Sequence, residues 1–574
     1  MKQVLLGFFL FGFLLCLGTG LLIYAAVSAQ PEVASNSVLM IELDGPLQEG
    51  DAGSLNALVK GAAPASFQSV THSIREAATD TKISGLVLNI ITPQIGHAQL
   101  HELEETMKVF RDSGKWSLAY LETAGSQSKG DGAYALALSA DEVILSPPGS
   151  LNLIGLRAEV PFFAELLERL KIQPHIQKRK EYKSGANIYT QKAFTGPHEE
   201  ALKEVVDDLQ ANLYAHIAAR RKVNLETAKE WVQTGPHSST TATDKGMIDN
   251  TAYWDQVLDT VQERTGREDS TVSLHDYYST LPGSSGDDTL AVITAVGEIH
   301  RGKSDGHPFA ARSTIGSITY QKAFQAARAD KVKGVLFRIN SPGGSYIASD
   351  MIRREVELTR KAGVPVVVSM GDVAGSGGYF IAMDADHILA APSTITGSIG
   401  VYGGGLSFRT FLHEFLGITF DTYQSTPNAD TFSQLDPPDA HSHKATSETM
   451  DRIYHDFVSK VAAGRGKSYD DAEASARGRI WSGQDALKLG LVDELGGYYA
   501  ALSRLKEKAQ ISPEAEVQLK TYPVPDTPIN ALRKTLASGA SLTSVVQSTL
   551  KRFTLALDTS SHAQLKAPEV PVPY

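Results

Sequence analysis

Nearly continuous apolar runs alternate along this chain with polar stretches of helical spacing. Val335–Ile339 and Val366–Met370 are the clearest runs. Strands of that composition are covered on both faces. The polar stretch Ser349–Lys361 between them reads as a helix, and longer helical patterns occupy Glu199–Arg221 and Ser447–Gly464. Strand and helix in alternation predict α/β units with mostly parallel sheets. After about Gln518 the pattern lapses. Ile529–Asp558 reads as an amphipathic helix and the Pro-rich Lys566–Tyr574 as a loose end.

The pattern occurs twice. Asp131-Gly-Ala-Tyr-Ala-Leu-Ala-Leu-Ser-Ala-Asp-Glu-Val-Ile-Leu-Ser-Pro147 aligns without a gap on Ser376-Gly-Gly-Tyr-Phe-Ile-Ala-Met-Asp-Ala-Asp-His-Ile-Leu-Ala-Ala-Pro392, at an offset of 245. Gly85–Pro93 matches Gly334–Pro342, Val38–Gly45 matches Leu290–Gly297, and Ala242–Asp249 matches Ala486–Asp493. An internal repeat of this length means two copies of one domain. The expected organisation is an N-terminal segment 1–30, a first repeat 31–264, a turn-rich linker 265–289, a second repeat 290–517 and a tail 518–574.

Val4–Val27 is different in kind: 24 apolar residues without a charge. About 20 helical residues span a bilayer, so one N-terminal transmembrane helix is expected. Lys2 before it and Glu32 after it place the N-terminus in the cytoplasm and the bulk of the chain beyond the inner membrane, on the periplasmic side. Val27-Ser-Ala29 before Gln30 also suits signal cleavage, but the run exceeds the usual signal core. Either way the protein is exported. Composition narrows the function further. With 42% hydrophobic and 21% charged residues over 574, the chain is globular. A formal net charge of −11 argues against nucleic-acid binding. One cysteine, Cys16, excludes internal disulfides and thiolate metal clusters. No metal or other cofactor is called for.

The candidate chemistry lies where the two halves differ. Gly371-Asp-Val-Ala-Gly-Ser-Gly-Gly-Tyr-Phe380 follows a buried strand and presents Ser376 in a glycine turn, where a substrate backbone can approach closely. Asn340-Ser-Pro-Gly-Gly-Ser345 ends the neighbouring strand, and its exposed amides suit an oxyanion hole. In the first half Asp131 stands in place of Ser376, and Thr92-Pro-Gln-Ile95 has lost both glycines. That half has instead the basic run Gln177-Lys-Arg-Lys-Glu-Tyr-Lys-Ser-Gly185, whose Lys183 falls on Asn428 of the second half. Complementary loss suggests one composite site.

A serine hydroxyl needs an adjacent base. His387 follows Ser376 by eleven residues on what should be a helix leading away from the turn, and nothing aims His413, His441, His443 or His455 at it. A neutral lysine can serve if its pKa falls from about 10.4 toward about 7–8, at a cost on the order of 4 kcal/mol. Burial and the neighbouring charges of Lys178, Arg179 and Lys180 are the available causes.

Gly375-Ser-Gly-Gly-Tyr, Asn340-Ser-Pro-Gly-Gly-Ser345, Thr396-Gly-Ser-Ile-Gly400 and Tyr182-Lys-Ser184, in a duplicated chain behind one anchor, resemble the bacterial signal peptide peptidase A family in its long, two-repeat form. The resemblance covers residues 1–510. It implies two tandem Clp-protease/crotonase-like domains and a Ser/Lys dyad peptidase that degrades released signal peptides and other apolar peptides at the membrane. By the same resemblance Ser376 is the nucleophile, Lys183 the base and Ser398 the hydroxyl that orients the lysine. The amides of Gly343 or Gly344, with Gly377, form the oxyanion hole. The resemblance also implies a homotetramer with dyads formed between neighbouring protomers. Ser184-Gly-Ala-Asn-Ile188 departs from the family's usual context after the lysine. Two rival readings are a Clp-like Ser-His-Asp peptidase or crotonase-type enzyme, which would carry a histidine near Thr396–Val401, and a non-catalytic membrane scaffold.

Overall fold

The computed structural model describes residues 32–50, 66–126, 128–304, 313–426 and 428–523. The apolar run Val4–Val27 and the segment Ile529–Asp558 lie outside them. Among the described residues no helix is long and apolar enough to cross a membrane.

Each half builds one large sheet. In the first, the strands run in the order Asn250–Thr251, Glu142–Leu145, Trp116–Leu121, Ile83–Gln94, Ser37–Pro46 and Thr271–Ser273, all parallel. In the second, Gly334–Ser341 lies between Asp288–Val296 and Val366–Gly375, with Val517–Tyr522 beyond Asp288–Val296. Val366–Gly375 pairs with His387–Ala390 through Val367–Ser369 and with Ile395–Gly397 through Val373–Gly375. Only Ile480–Ser482 joins this sheet antiparallel. Val366, Val367, Val368 and Met370 are fully buried, as a strand with both faces covered requires. The helix after the glycine turn spans Tyr346–Lys361, and its N-cap Ser345 accepts from the Ala348 amide.

The duplication extends to single hydrogen bonds. Tyr134 Oη donates to the Met247 carbonyl at 2.7 Å, and Tyr379 Oη donates to that of Leu491 at 2.8 Å. Asp249 accepts from the Val143 amide and from Arg221, as Asp493 accepts from Ile388 and Arg465. Both tyrosines are wholly buried, so this pair belongs to the core and not to the chemistry.

Two boundaries move from where the sequence pattern puts them. Thr271–Ser273, inside the expected linker 265–289, is the edge strand of the first sheet. The helix Leu274–Thr280 follows it and buries Tyr277, whose hydroxyl donates to Asp80. Val517–Tyr522 is the equivalent edge of the second sheet, so that half runs past the expected end at 517. Short amphipathic edge strands carry too little pattern to be told from loop.

The halves meet through a buried ionic junction. Arg338 of the second half is fully buried and holds Glu49 through both carboxylate oxygens at 2.9 Å and Glu102 at 2.7 Å. Asp372, four residues before Ser376, accepts from the Ala98 amide. Desolvation is the largest influence on Glu102, opposed by Arg338, and its carboxyl is raised to about 7. Desolvation and then the charge of Glu49 raise Asp372 to about 6.

Candidate active site

Ser376 stands between the strand Val366–Gly375 and a one-turn helix, Gly377–Phe380. Its backbone is at φ 52°, ψ −115°. A side-chain-bearing residue held there costs about 1–3 kcal/mol, which the surroundings must over-determine. They do so here through the Ser376 amide, which donates to the Gly397 carbonyl at 2.9 Å, and the Ser376 carbonyl, which accepts from Phe380. The companion turn packs directly beneath. Gly343 has φ +103°, and a Cβ there would lie 2.6 Å from the Gly377 nitrogen.

Of the amides expected to form an anion-binding pair, that of Gly343 is already engaged, donating to Ser341 Oγ at 3.2 Å. The bridge to Ile299 uses the Gly343 carbonyl and the Ser345 amide, and so passes over the Gly344 N–H. Gly377 heads its helix, where an N–H has no intrahelical acceptor. A Cβ on Gly377 would be 3.0 Å from the Gly344 nitrogen, so these two donors are neighbours. Of the two, the Gly344 N–H is the neighbour of the Gly377 N–H, while that of Gly343 is held by the turn itself.

Lys183 reaches this place from the first half. The strand Gln173–Lys178 crosses over and pairs antiparallel with Tyr402–Ser407 of the second half. Its continuation lays Lys183 in the core with 4% exposure. Lys183 Nζ lies 3.0 Å from Ser376 Oγ, 2.9 Å from Ser398 Oγ and 2.7 Å from the Ser398 carbonyl. Three oxygens therefore surround one ammonium or amine, and no carboxylate is among them. Burial alone lowers Lys183 to about 7. The neighbouring cations expected to help do not. Lys178 donates to Asn187, Arg179 is bound to Asp451 and Ser447, and Lys180 is bound to Glu473. Arg179 and Lys180 tie the crossing arm to the second half and have their charges answered by carboxylates there, whereas Lys178 donates to a neutral amide of its own segment.

Two other expectations are corrected. His387 is not on a helix leading from the turn. It begins the strand His387–Ala390, and its Nε2 lies 3.0 Å from Glu494. Among the described residues no histidine bonds to Ser376, which disfavours the histidine-based reading. The lysine and serine also come from one chain, rather than from neighbouring protomers as the resemblance implied. In the first half Asp131 occupies the position of Ser376. Its Oδ1 accepts from the Gly155 amide, and desolvation raises its carboxyl. Sequence reasoning missed Gly478, at φ +82°, where a Cβ would lie 2.5 Å from the Lys183 nitrogen. The signal available was Arg477-Gly-Arg479, a glycine between two cations. Among the described residues no cluster of His, Cys, Asp or Glu could hold a metal ion.

Duplicated α/β units bring a buried amine of one onto a serine of the other, an arrangement suited to nucleophilic acyl transfer. The chain belongs to peptidase family S49, whose model matches residues 110–267 and 359–512, one segment in each repeat. It is similar to Protease 4 of Salmonella typhi, 28% identical over 89% of this chain and 84% of that one. Protease 4 of Haemophilus influenzae (strain ATCC 51907 / DSM 11121 / KW20 / Rd) is 30% identical over 78% and 74%. The chloroplastic serine protease SPPA of Arabidopsis thaliana is 29% identical over 86% and 72%. A solved ClpP1 mutant from Listeria monocytogenes aligns with 37% of this chain and 94% of its own, at 15% identity and a TM-score of 0.25.

Proposed function

We propose that the protein is a serine endopeptidase in which Ser376 attacks the scissile carbonyl and neutral Lys183 accepts its proton. The observation that carries this reading is the 3.0 Å approach of a buried lysine nitrogen to Ser376 Oγ. With its pKa near 7, a sizeable fraction of Lys183 is unprotonated at neutral pH, as a general base requires. Ser398 Oγ and its carbonyl hold the amine in place. The amides of Gly344 and Gly377 receive the negative charge that develops on the carbonyl oxygen. Lys183 then returns the proton to the leaving amine, and water repeats the sequence on the acyl-enzyme.

The long apolar run at the N-terminus and the family resemblance support the rest of the reading. The enzyme is anchored by a single pass in the inner membrane, acts on its periplasmic side, and degrades cleaved signal peptides and other apolar peptides. It works as a homotetramer, needs no cofactor and has no nucleic-acid partner. The test is hydrolysis of a short apolar peptide ester by wild type, Ser376→Ala and Lys183→Ala, each checked for unaltered thermal unfolding. Loss of at least about a thousandfold in both variants supports the dyad. Wild-type turnover in Lys183→Ala overturns it.

A further inference from the structure

Lys183 is the last of three consecutive residues that the second half grips. Arg477 Nε donates to Glu181 Oε1 at 2.8 Å, and its Nη2 lies 2.7 Å from the same oxygen. The guanidinium of Arg479 stacks 4.7 Å over the ring of Tyr182 and 4.5 Å over that of Trp481. Its nitrogens bind Glu200 at 2.7 Å and also Glu204, while the Tyr182 hydroxyl donates to Glu200 at 3.0 Å. Between the two arginines Gly478 has no side chain, and the Lys183 backbone passes through the space a Cβ would take.

The same three residues hold the other side of the site. The Arg479 carbonyl accepts from the Ser398 amide at 2.7 Å, and the Gly478 amide donates to the Ile399 carbonyl at 2.9 Å. Ser398 is at φ 51° and Gly478 at φ 82°, so each of the two segments in this contact carries a residue in a left-handed conformation. One short segment therefore touches the residues before the lysine, the lysine backbone, and the serine that receives the lysine's hydrogen bonds.

We propose that Arg477 and Arg479 are positioning residues, which set Lys183 against Ser376 and Ser398 by clamping Glu181 and Tyr182. The proposal rests on the reading of Lys183 as the base. A half-exposed ion pair such as Arg477–Glu181, with Glu473 a further 3.8 Å partner of the same guanidinium, adds little stability, so its consequence is geometric. A displacement of about 1 Å at a reacting group costs up to about a hundredfold in rate. The ionisable groups facing the arm at this point are Lys178, Lys180, Glu181, Glu473, Arg477 and Arg479, with Tyr182, Glu200 and Glu204 around the Arg479 guanidinium. The lysines are engaged by Asn187 and Glu473, and Glu181 by Arg477, so loosening the clamp acts on Lys183 mainly by admitting water.

The experiment is the pH dependence of kcat/KM for the apolar peptide ester, measured on the full chain for wild type, Arg477→Ala, Arg479→Ala and Glu181→Gln. The expected result is a loss of about tenfold to a hundredfold at pH 7. The acid limb moves upward by a pH unit or more, so that much of the loss is recovered at pH 9. Arg479→Lys should not rescue, because an ammonium has no planar face to stack. Arg477→Lys should, because it keeps a cation beside Glu181. A lowered plateau with an unmoved acid limb, or wild-type rates in the alanine variants, overturns the clamp. Glu181→Gln, nearly isosteric at a partly exposed position, keeps the test open if an arginine variant does not fold. Lys183→Ala in the same assay separates the two ideas. If it retains activity, the base assignment fails. If it is inactive while the arginine variants keep the wild-type limb, only the clamp fails.

Discussion

Lys183 Nζ and Ser376 Oγ lie 3.0 Å apart across 193 residues of sequence, each supplied by a different copy of the repeat. No carboxylate stabilises the ammonium form, and burial favours the free amine. The rate of acylation should therefore rise with pH as Lys183 loses its proton. A profile of kcat/KM is expected to climb with unit slope below about pH 7 and level off above it. A profile still climbing at pH 9 would mean that the base titrates as an ordinary lysine.

The same burial makes Lys183 a burden on the fold. Below pH 7 both the folded and unfolded chains carry its proton, and the folded state bears the full cost of an enclosed cation. Between pH 7 and about 10.5 the unfolded chain holds a proton that the folded one has released, so stability from this group rises with pH. At about 1.36 kcal/mol per unit the cost below pH 7 is on the order of 5 kcal/mol. Lys183→Met should accordingly be more stable than wild type at pH 6, by about 3 kcal/mol after its lost hydrogen bonds, with the gain fading toward pH 10. Denaturant titrations at the two pH values measure this, and a pH-independent difference would contradict it.

Gly343→Ala should abolish most activity while leaving both halves folded. Its φ of +103° is unfavourable to a side chain, and the new methyl would lie 2.6 Å from the Gly377 nitrogen. Displacing one oxyanion donor costs about a hundredfold to a thousandfold in kcat. The expected signature is a fall in kcat with little change in KM. A rise in KM alone would place Gly343 in substrate binding instead.

Arg338→Met should loosen the junction between the halves. It leaves Glu49 and Glu102 buried without their cation, and breaking such a pair costs about 3–5 kcal/mol. The loss should grow as pH rises through about 6–7 and beyond, where wild type releases the protons of Asp372 and Glu102. Glu102 and Asp372 are already raised above the ordinary carboxylate range, and without Arg338 they hold protons that the unfolded chain gives up. Urea unfolding at pH 5.5 and pH 8 is the measurement, and equal losses at both would show that the carboxylates remain paired in another way.

Much of this architecture is legible in one dimension. Buried parallel strands such as Val366–Gly375 announce themselves because both faces must be apolar, and the repeat is visible because two copies of one fold need the same core. Ser376 stands out by its glycine turn, and comparison of the copies sets it and Lys183 apart, since a residue kept in one half and absent from the other is not needed for the fold. The edge strands Thr271–Ser273 and Val517–Tyr522 were not, because a strand covered on one side needs few apolar residues. The basic run looks in the sequence like a source of charge for Lys183, whereas Arg179 and Lys180 are neutralised by Asp451 and Glu473, residues of the other repeat.

The amino-acid sequence by itself determined that there are two α/β units, that only the second has a serine in a glycine turn, and that the first supplies a lysine in its place. These are local facts of composition and period. Only the tertiary structure decided that both groups meet within one chain and that burial, not neighbouring charge, depresses the lysine. Each of those depends on which side chains and amides are already engaged when the arm Gln173–Lys178 crosses onto Tyr402–Ser407. Such engagement is a property of contacts between residues far apart in sequence, and no local pattern encodes it.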